Sequence, residues 1–583
     1  MTNLSNVNSK TGLKNTPGPG KILLTVLPYW APVLPPVGLA RLKAFLQSHG
    51  YEVKVVDLIV KNETLEFYYS YFDILKKCVP EEKRGNFKNI GHDVLRNHMM
   101  AHINYQDEKE YIRLVKILIY KSYYVEVEDS YIGELNEVLR KYYSILEEYF
   151  LFLLEFEEPD VVGATVYRDT IAPTMFVLKL TKEKYPQIKT VIGGGIFADS
   201  HIKGSPNYEQ LLEVTTGYID KIIIGEGELL FLKYLRGQLP ESQRVYTMED
   251  IGGQFLDLKG AEPPDLSDLN IRKYSHLPGT ASFSCPYKCS FCNEAQFRGK
   301  YRKRDIKEAV DEMVTLYRAV ELNNVNSGHQ LFFMTDSLLN PIIAEMADEL
   351  IKRDVSLYYD GYYKVDRAAM DANTTFHWRQ SGLYRARLGI ESGSQKVLNL
   401  MRKGITVEQI RGAVSSFGLA GIKTTTYWVI GHPGESEEDF QMTLDLITEL
   451  KNSIYQAECN PFLYHYCGQN SSDDWKDKRM LLYPAEARDM LVFDSWTLDR
   501  EPVREVAYER MHRFENHCRN LGIPNPYSFK EIFDADRRWK KLQKFAVPSL
   551  DEFNPEEGKH INDNYKKRVL AKTSESYDGD FNL

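Results

Sequence analysis

Apolar residues fall along this chain in short runs, set apart by turn-forming residues and by stretches of helical period. Lys21-Ile-Leu-Leu-Thr-Val-Leu27 is apolar on both alternations, as a strand covered on both faces of a parallel sheet must be. Pro28-Tyr29-Trp30 breaks that run. Leu39–His49 then repeats at helical spacing, and Gly50 supplies a usual C-terminal stop. Tyr51–Leu58 reads as a second strand that carries Asp57 at its end. This βαβ opening predicts a doubly wound α/β sheet. No Gly-x-Gly-x-x-Gly follows the first strand, so the dinucleotide fingerprint is missing.

The third strand is delayed to Asp160–Val166, and a helix follows over 172–185. Thr190-Val-Ile runs into Gly193-Gly194-Gly195, and Lys221–Ile224 runs into Gly225-Glu226-Gly227-Glu228. Ligands of open α/β sheets sit at the carboxyl ends of strands. Those ends are 28–30, 165–167, 193–195 and 225–227, and glycine there lets backbone approach a bulky ligand. Residues 59–158 interrupt the sheet. They are helical by pattern, as over Tyr111–Tyr124 and Ile132–Phe156, and dense in Tyr and Phe. A small subdomain with an aromatic core accounts for them, and so does a lid or substrate-recognition element.

Residues 239–275 hold breakers such as Pro240, Gly252, Gly253, Pro263 and Pro264 and read as a linker. A second domain is expected over 276–470. Its strands are Ala281–Ser284, Gln330–Thr335, Ser356–Tyr363, Tyr384–Ile390 and Thr424–Ile430, with Leu463–Tyr466 as the last. Residues 471–583 read as a helical C-terminal region, with helices over 485–496 and 503–521 and a frayed end from 571. Residues 1–20 are polar, contain Pro17-Gly18-Pro19-Gly20, and read as a loose tail.

Composition narrows the class. The 583 residues allow three or four domains, and 43% hydrophobic with 27% charged residues is globular. With a net charge of −9 and no basic run, a nucleic-acid partner is disfavoured. No apolar run approaches a bilayer span. Seven cysteines without a leader peptide speak against disulfides and for a reducing cytoplasm.

Three of those cysteines carry the chemistry, in Cys285-Pro-Tyr-Lys-Cys289-Ser-Phe-Cys292. Four cysteines ligate a [4Fe–4S] cube completely, so three leave one iron open. Zinc would want four ligands, commonly from paired knuckles, and there is no second C-x2-C. Cys78, Cys459 and Cys518 lack ligand spacing and read as structural.

C-x3-C-x2-C with Phe291 before the last cysteine resembles the signature of the radical S-adenosylmethionine (SAM) superfamily. The resemblance implies that the open iron binds the amino and carboxylate groups of SAM, which an electron from the cluster cleaves to a 5′-deoxyadenosyl radical. It implies a partial (β/α)6 barrel with the reaction at the strand C-termini. Beside Phe291, Glu391 in Gly-Ile-Glu-Ser-Gly393 matches a position near the SAM ribose or amino group. Arg402 or Lys403 would pair with the SAM carboxylate, Ile430 in Ile-Gly-His-Pro-Gly434 would lie beside the adenine, and Asp336 is a further candidate contact. Tyr464 and His465 are the weak catalytic candidates, facing substrate near the last strand.

The N-terminal half, residues 21–238, resembles the cobalamin-binding domain that precedes the radical core in one branch of that superfamily. The matching stretches are Leu34-Pro-Pro-Val-Gly-Leu39, Gly193-Gly194 and Ile224-Gly-Glu-Gly-Glu228. The cobalamin contacts it implies are Pro28, Tyr29, Thr165, Tyr167, Gly193, Gly194, Gly225 and Glu226. Asp199-Ser-His201-Ile-Lys-Gly204 matches the Asp-x-His-x-x-Gly motif of enzymes in which histidine binds cobalt. It follows the fourth strand instead of the first, so His201 is expected at most to touch the nucleotide tail.

The leading expectation is therefore a cobalamin-dependent radical SAM enzyme. It would methylate an unactivated carbon of a peptide or natural-product intermediate, through methylcobalamin, with a flavodoxin or ferredoxin as electron donor. The alternatives are the same cofactors performing cyclisation, rearrangement or oxidation, and a non-catalytic scaffold.

Overall fold

The computed structural model describes residues 20–28, 33–84, 86–323, 331–355, 357–491, 496–524, 529–543 and 546. Tyr29, Trp30 and the stretches 1–19 and 547–583 lie outside it.

The first domain opens with β1 (Lys21–Val26), α1 (Val37–Ser48) and β2 (Glu52–Asp57). Five helices follow: α2 (Asn62–Cys78), α3 (Glu81–Arg84), α4 (Phe87–Asn104), α5 (Glu108–Tyr123) and α6 (Asp129–Glu157). The sheet resumes with β3 (Val161–Thr165), α7 (Ile171–Lys184), β4 (Lys189–Gly193), α8 (Pro206–Val214), β5 (Lys221–Ile224), α9 (Gly227–Leu235) and β6 (Val245–Thr247). Its order is β2-β1-β3-β4-β5-β6, with every pairing parallel. Strand order reverses between β1 and β3, the switch point at which such sheets open a crevice. The alternating burial of Leu23 and Leu24 on two separate cores explains why β1 is apolar throughout.

The inserted helices pack on their own aromatic side chains. Phe67 stacks on Tyr142 with ring centroids 4.2 Å apart, and His98 joins Tyr71 and Tyr111 in a buried hydrogen-bonded group. Burial keeps His98 neutral, with its pKa lowered to about 3.

The stretch expected as a linker is structured. It contributes β6 to the sheet edge, so the domain runs past residue 238. Downstream, Asp268 accepts from Val55 N at 2.9 Å and pairs with Lys43 and Lys54, both at 2.8 Å. Tyr274 donates to Asp57 at 2.5 Å. The connection is thus buttoned along α1 and β2.

The second domain comprises β7 (Leu277–Gly279), β8 (Ser282–Phe283), α10 (Glu294–Phe297), β9 (Arg302–Lys303), α11 (Ile306–Asn323), β10 (Leu331–Met334) and α12 (Ile343–Lys352). It continues with β11 (Tyr358–Tyr363), α13 (Ala372–Gln380), β12 (Leu383–Glu391), α14 (Gln395–Leu400), α15 (Val407–Leu419), β13 (Lys423–Ile430), α16 (Glu437–Leu450) and β14 (Gln456–Pro461). Six strands form an open parallel sheet in the order β14-β13-β12-β11-β10-β7. This is the expected partial barrel with two strands corrected. The first is β7, while β8 pairs with β9 outside the main sheet. The last is β14, not Leu463–Tyr466, which is loop.

The C-terminal region is not all helix. Residues 485–490 form a single 3₁₀ segment, and β15 (Arg479–Leu481) pairs antiparallel with β16 (Trp496–Leu498). Helix α17 (Arg504–Asn520) packs on β14. Helix α18 (Phe529–Leu542) closes the opposite end of the sheet, where Asp536 pairs with buried Lys423 at 2.8 Å.

Candidate active site

The three-cysteine loop joins β8 to α10 at the carboxyl side of the sheet. All three thiols are free, Cys289 is buried, and Cys285 and Cys292 are partly covered. Burial, with smaller contributions from the neighbouring thiols, pushes Cys292 up to about 12 and raises Cys285. Among the described residues no three His, Cys, Asp or Glu side chains converge on one ion. Three free thiols on one loop at C-x3-C-x2-C spacing are the donor set that would hold three irons of a [4Fe–4S] cluster.

The loop is fastened from several sides. Asn470 Nδ2 donates to the carbonyls of Cys289 at 2.7 Å and Cys292 at 3.1 Å. Gln469 Nε2 donates to Phe291 O at 3.0 Å, Ser471 N to Ser290 O, and Ser290 N to Met401 O at 2.8 Å. No motif announced Gln469 and Asn470; they sit in the loop after β14.

Lys403 is the cation at this site. Its Nζ lies 2.5 Å from Glu391 Oε1 and 5.7 Å from the Phe291 ring, with both charged side chains buried. Burial opposes the ammonium, but Glu391 and the thiols of Cys289 and Cys292 outweigh it and raise its pKa. Glu391 has φ 67°, at a shift of register between β12 and β13. A Cβ on Gly389 would lie 2.6 Å from Glu391 Oε1 and 2.8 Å from Lys403 Nζ, so glycine leaves room for the pair. Arg402, with φ 49°, turns outward and pairs with Asp474 at the surface. Lys364 is a second cation near the thiols, 3.6 Å over the Tyr287 ring.

Asp336 is 1% exposed and receives Ala281 N at 3.1 Å and Ser282 Oγ at 2.5 Å, tying β10 to the start of the cysteine segment. Burial raises it to about 6, against those hydrogen bonds. Its polar contacts in the structure are therefore within the fold. Ile430 is buried at the end of β13, and the turn behind it is closed by Ala507 of α17. Tyr464 packs with Trp475 and accepts from Arg479 Nε at 2.7 Å, inside a satellite core. His465 Nδ1 lies 3.7 Å from Asp199 Oδ1.

The first domain meets this site along one loop. Asn293, next to Cys292, donates to Ala198 O at 2.6 Å, and Gly468 packs against Ile202. A cavity of about 550 Å³ lies at the meeting place. It is lined by Phe291, by Asn460 and Phe462 at the end of β14, by Arg168 and Asp169 after β3, and by α4 of the insertion. The barrel mouth and the switch-point crevice thus share one space.

The other residues expected at a large cofactor separate into groups. Thr165, Tyr167, Gly193 and Gly194 come together at the ends of β3 and β4. Gly194 has φ 109°, and a Cβ there would lie 2.6 Å from Thr165 Oγ1. Gly225 and Glu226 line a different cavity, of about 600 Å³, walled by residues 255–262 and by Phe283. Glu226 is held there by Arg302 at 2.5 Å and by Leu256 N at 2.6 Å. Pro28 lines a third cavity against the insertion, and Tyr29 lies outside the described residues. His201 is 1% exposed, with Nδ1 2.7 Å from Ser200 Oγ, and lies behind the strand ends. The glycines there let strand ends pack closely: a Cβ on Gly193 would meet Ile223 O, one on Gly194 would meet Val166, and one on Gly195 would meet the Tyr167 ring, which is itself exposed at the surface. Gly225 and Glu226 serve packing and an ion pair.

Residues 281–447 match the model of the radical SAM superfamily. Among curated proteins, the anaerobic magnesium-protoporphyrin IX monomethyl ester cyclase of Rubrivivax gelatinosus is 28% identical over 326 residues, 51% of this chain and 56% of that one. The chain spans about half the length of such relatives. Among solved structures, the radical SAM methyltransferase TsrM from Kitasatospora setae, with cobalamin and a [4Fe–4S] cluster bound, superposes with a TM-score of 0.51 at 17% identity. The match covers 79% of this chain and 78% of that one. The cobalamin-dependent SAM radical enzyme OxsB, with aqua-cobalamin and SAM bound, gives 0.51 at 14% identity over 95% and 68%. These two likenesses concern the fold.

Proposed function

From a chain that carries a radical SAM domain behind a parallel α/β domain, we propose a cobalamin-dependent radical SAM enzyme that methylates an unactivated carbon of a peptide or natural-product intermediate. The observation that supports this reading is the shared cavity, lined both by Phe291 of the cysteine loop and by Arg168 and Asp169 after β3. A [4Fe–4S] cluster with SAM would supply a hydrogen-abstracting radical there, and cobalamin a transferable methyl group.

The chain's own contribution is placement. Cys285, Cys289 and Cys292 would hold three irons. Glu391 offers a carboxylate to an ammonium or to ribose hydroxyls, and Lys403 pairs with it in a buried setting. Thr165, Tyr167, Gly193 and Gly194, at the ends of β3 and β4, would be the residues that hold cobalamin. Gln469 and Asn470 hold the loop carbonyls, so the thiols meet the cluster in one arrangement.

A second reading, ring closure with the same cofactors, is favoured by the relative named as a cyclase. Product mass decides between them, since net methylation adds one CH2. The common premise is tested by reconstitution without oxygen. One [4Fe–4S] cluster per chain and reductive SAM cleavage are expected, and Cys289→Ala should abolish both. Unchanged absorbance and cleavage in that variant would overturn the reading.

A further inference from the structure

The cavity wall that the insertion supplies has a hydrogen-bonding pattern of its own. Asn86 stands at the N-cap of α4, yet its side chain does not cap the helix. Its Nδ2 donates instead to Cys459 O at 3.2 Å, at the end of β14. A carbonyl only accepts, so this contact fixes the orientation of the amide. Asn86 Oδ1 is then left buried with no hydrogen-bond partner among the described residues, in a side chain 1% exposed. One residue on, Asn460 Oδ1 accepts from Asn89 Nδ2 at 3.1 Å. That contact turns Asn460 Nδ2 away, and it donates to no described group. Both asparagines line the 550 Å³ cavity.

An acceptor and a donor therefore stand side by side on this wall. The cations beside them face carboxylates of the protein: Arg96 pairs with Asp93 and, at 2.6 Å, with Asp169, and the partly exposed Arg168 lies 3.9 Å from the other oxygen of Asp169. His92 is half-buried nearby, its pKa lowered to about 4 by desolvation. The wall is thus built for a neutral polar group more than for an anion or a bare acyl chain. Phe291 and Phe462 leave apolar room next to it.

We propose that the cavity selects an amide-bearing substrate, whose N–H is accepted by Asn86 Oδ1 and whose carbonyl is met by Asn460 Nδ2, so that helix α4 chooses the substrate. This rests on the proposed function for the location of the chemistry, but not for the binding.

Saturation-transfer NMR on the full chain reads binding without turnover. The probes are a set of N-acetyl dipeptide amides, their ester isosteres, nicotinamide as a primary carboxamide, and decanoate. Members of the amide set should bind, with the matching esters at least about fivefold weaker, the value of one hydrogen bond. Binding of nicotinamide alone would assign the site to a small carboxamide instead of a peptide. Asn86→Leu should erase the amide-over-ester preference. Asn460→Asp, of nearly the same shape, should weaken amide binding by removing the donor, and it keeps the test open if the leucine variant does not fold. Tighter binding of decanoate, no binding in the amide set and nicotinamide alike, or an undiminished preference in both variants would overturn the proposal. A chain that binds amides but forms no cluster would leave this inference standing and sink the radical SAM reading.

Discussion

Two loops at the carboxyl ends of parallel strands are built in opposite ways. The cysteine loop is fastened from outside, by Asn470, Gln469, Ser471 and Asp336, through bonds spanning 55 to 181 residues of sequence. The glycine turn at Gly193–Gly195 is fastened by its own backbone: Val166 N donates to Gly193 O at 2.7 Å and Ile196 N to Val166 O at 3.0 Å. The first design holds donor atoms at set positions and depends on a few side chains. The second lets neighbouring strand ends pack in close contact and depends on the absence of side chains.

Four substitutions sharpen or break that contrast. Gly194→Ala should have the largest effect. It puts a Cβ against Thr165 at a backbone angle unsuited to L-residues, and should cost about 4 kcal/mol by denaturant unfolding. A cost below about 1 kcal/mol would mean that the turn yields. Next is Asp336→Asn, read as stability against pH. The wild-type carboxyl keeps its proton in the folded state up to about 6, whereas the unfolded chain releases it near 4. Wild-type stability should therefore fall by roughly 3 kcal/mol as pH rises from 4 to 7, and the asparagine variant should not share that fall. Asn470→Ala should lower stability by about 1–2 kcal/mol and, unlike Gly194→Ala, should reduce cluster content on reconstitution. Equal cluster loading in the two variants would erase the distinction between the loops. The smallest effect is expected for Lys303→Ala, which removes a partly exposed pair with Glu345 beside the loop. A change below about 0.5 kcal/mol would show that buried bonds, not surface charge, hold this region.

Much of this was legible in the chain. Strands β1 and β3 stood out as apolar runs because parallel strands are covered on both faces, while β12 and β13 were found from their β-branched and aromatic residues and the glycine turns that end them. Strand β14 was displaced to Leu463–Tyr466 because Gln456-Ala-Glu-Cys-Asn-Pro461 alternates polar residues toward the cavity. Strand β6 has three residues, too few for any period to register. Trp496 was read as the end of a helix over 485–496, since a short antiparallel pair is decided by its partner Arg479–Leu481 and not by its own sequence. The cysteines were visible from spacing alone. The choice of Lys403 over Arg402 was not, because it turns on a left-handed φ at the helix end. Gln469 and Asn470 were invisible for another reason: amides acting on backbone carbonyls leave no spacing rule.

The insertion between β2 and β3 also bears on how the chain folds. Strand β1 must pair with β3, placing Ile22 opposite Val161 across 139 positions. Closing a flexible loop of about 100 residues costs about 2 kcal/mol more than closing one of 10. The helices in between pack on one another through aromatic contacts such as Phe67 with Tyr142 and His98 with Tyr111, so by forming early they bring the two strand ends together and shorten the effective loop. On that account the bundle is a folding aid to the sheet it interrupts. Pulse-labelled hydrogen exchange should find α4–α6 protected before β1, and the reverse order would refute it.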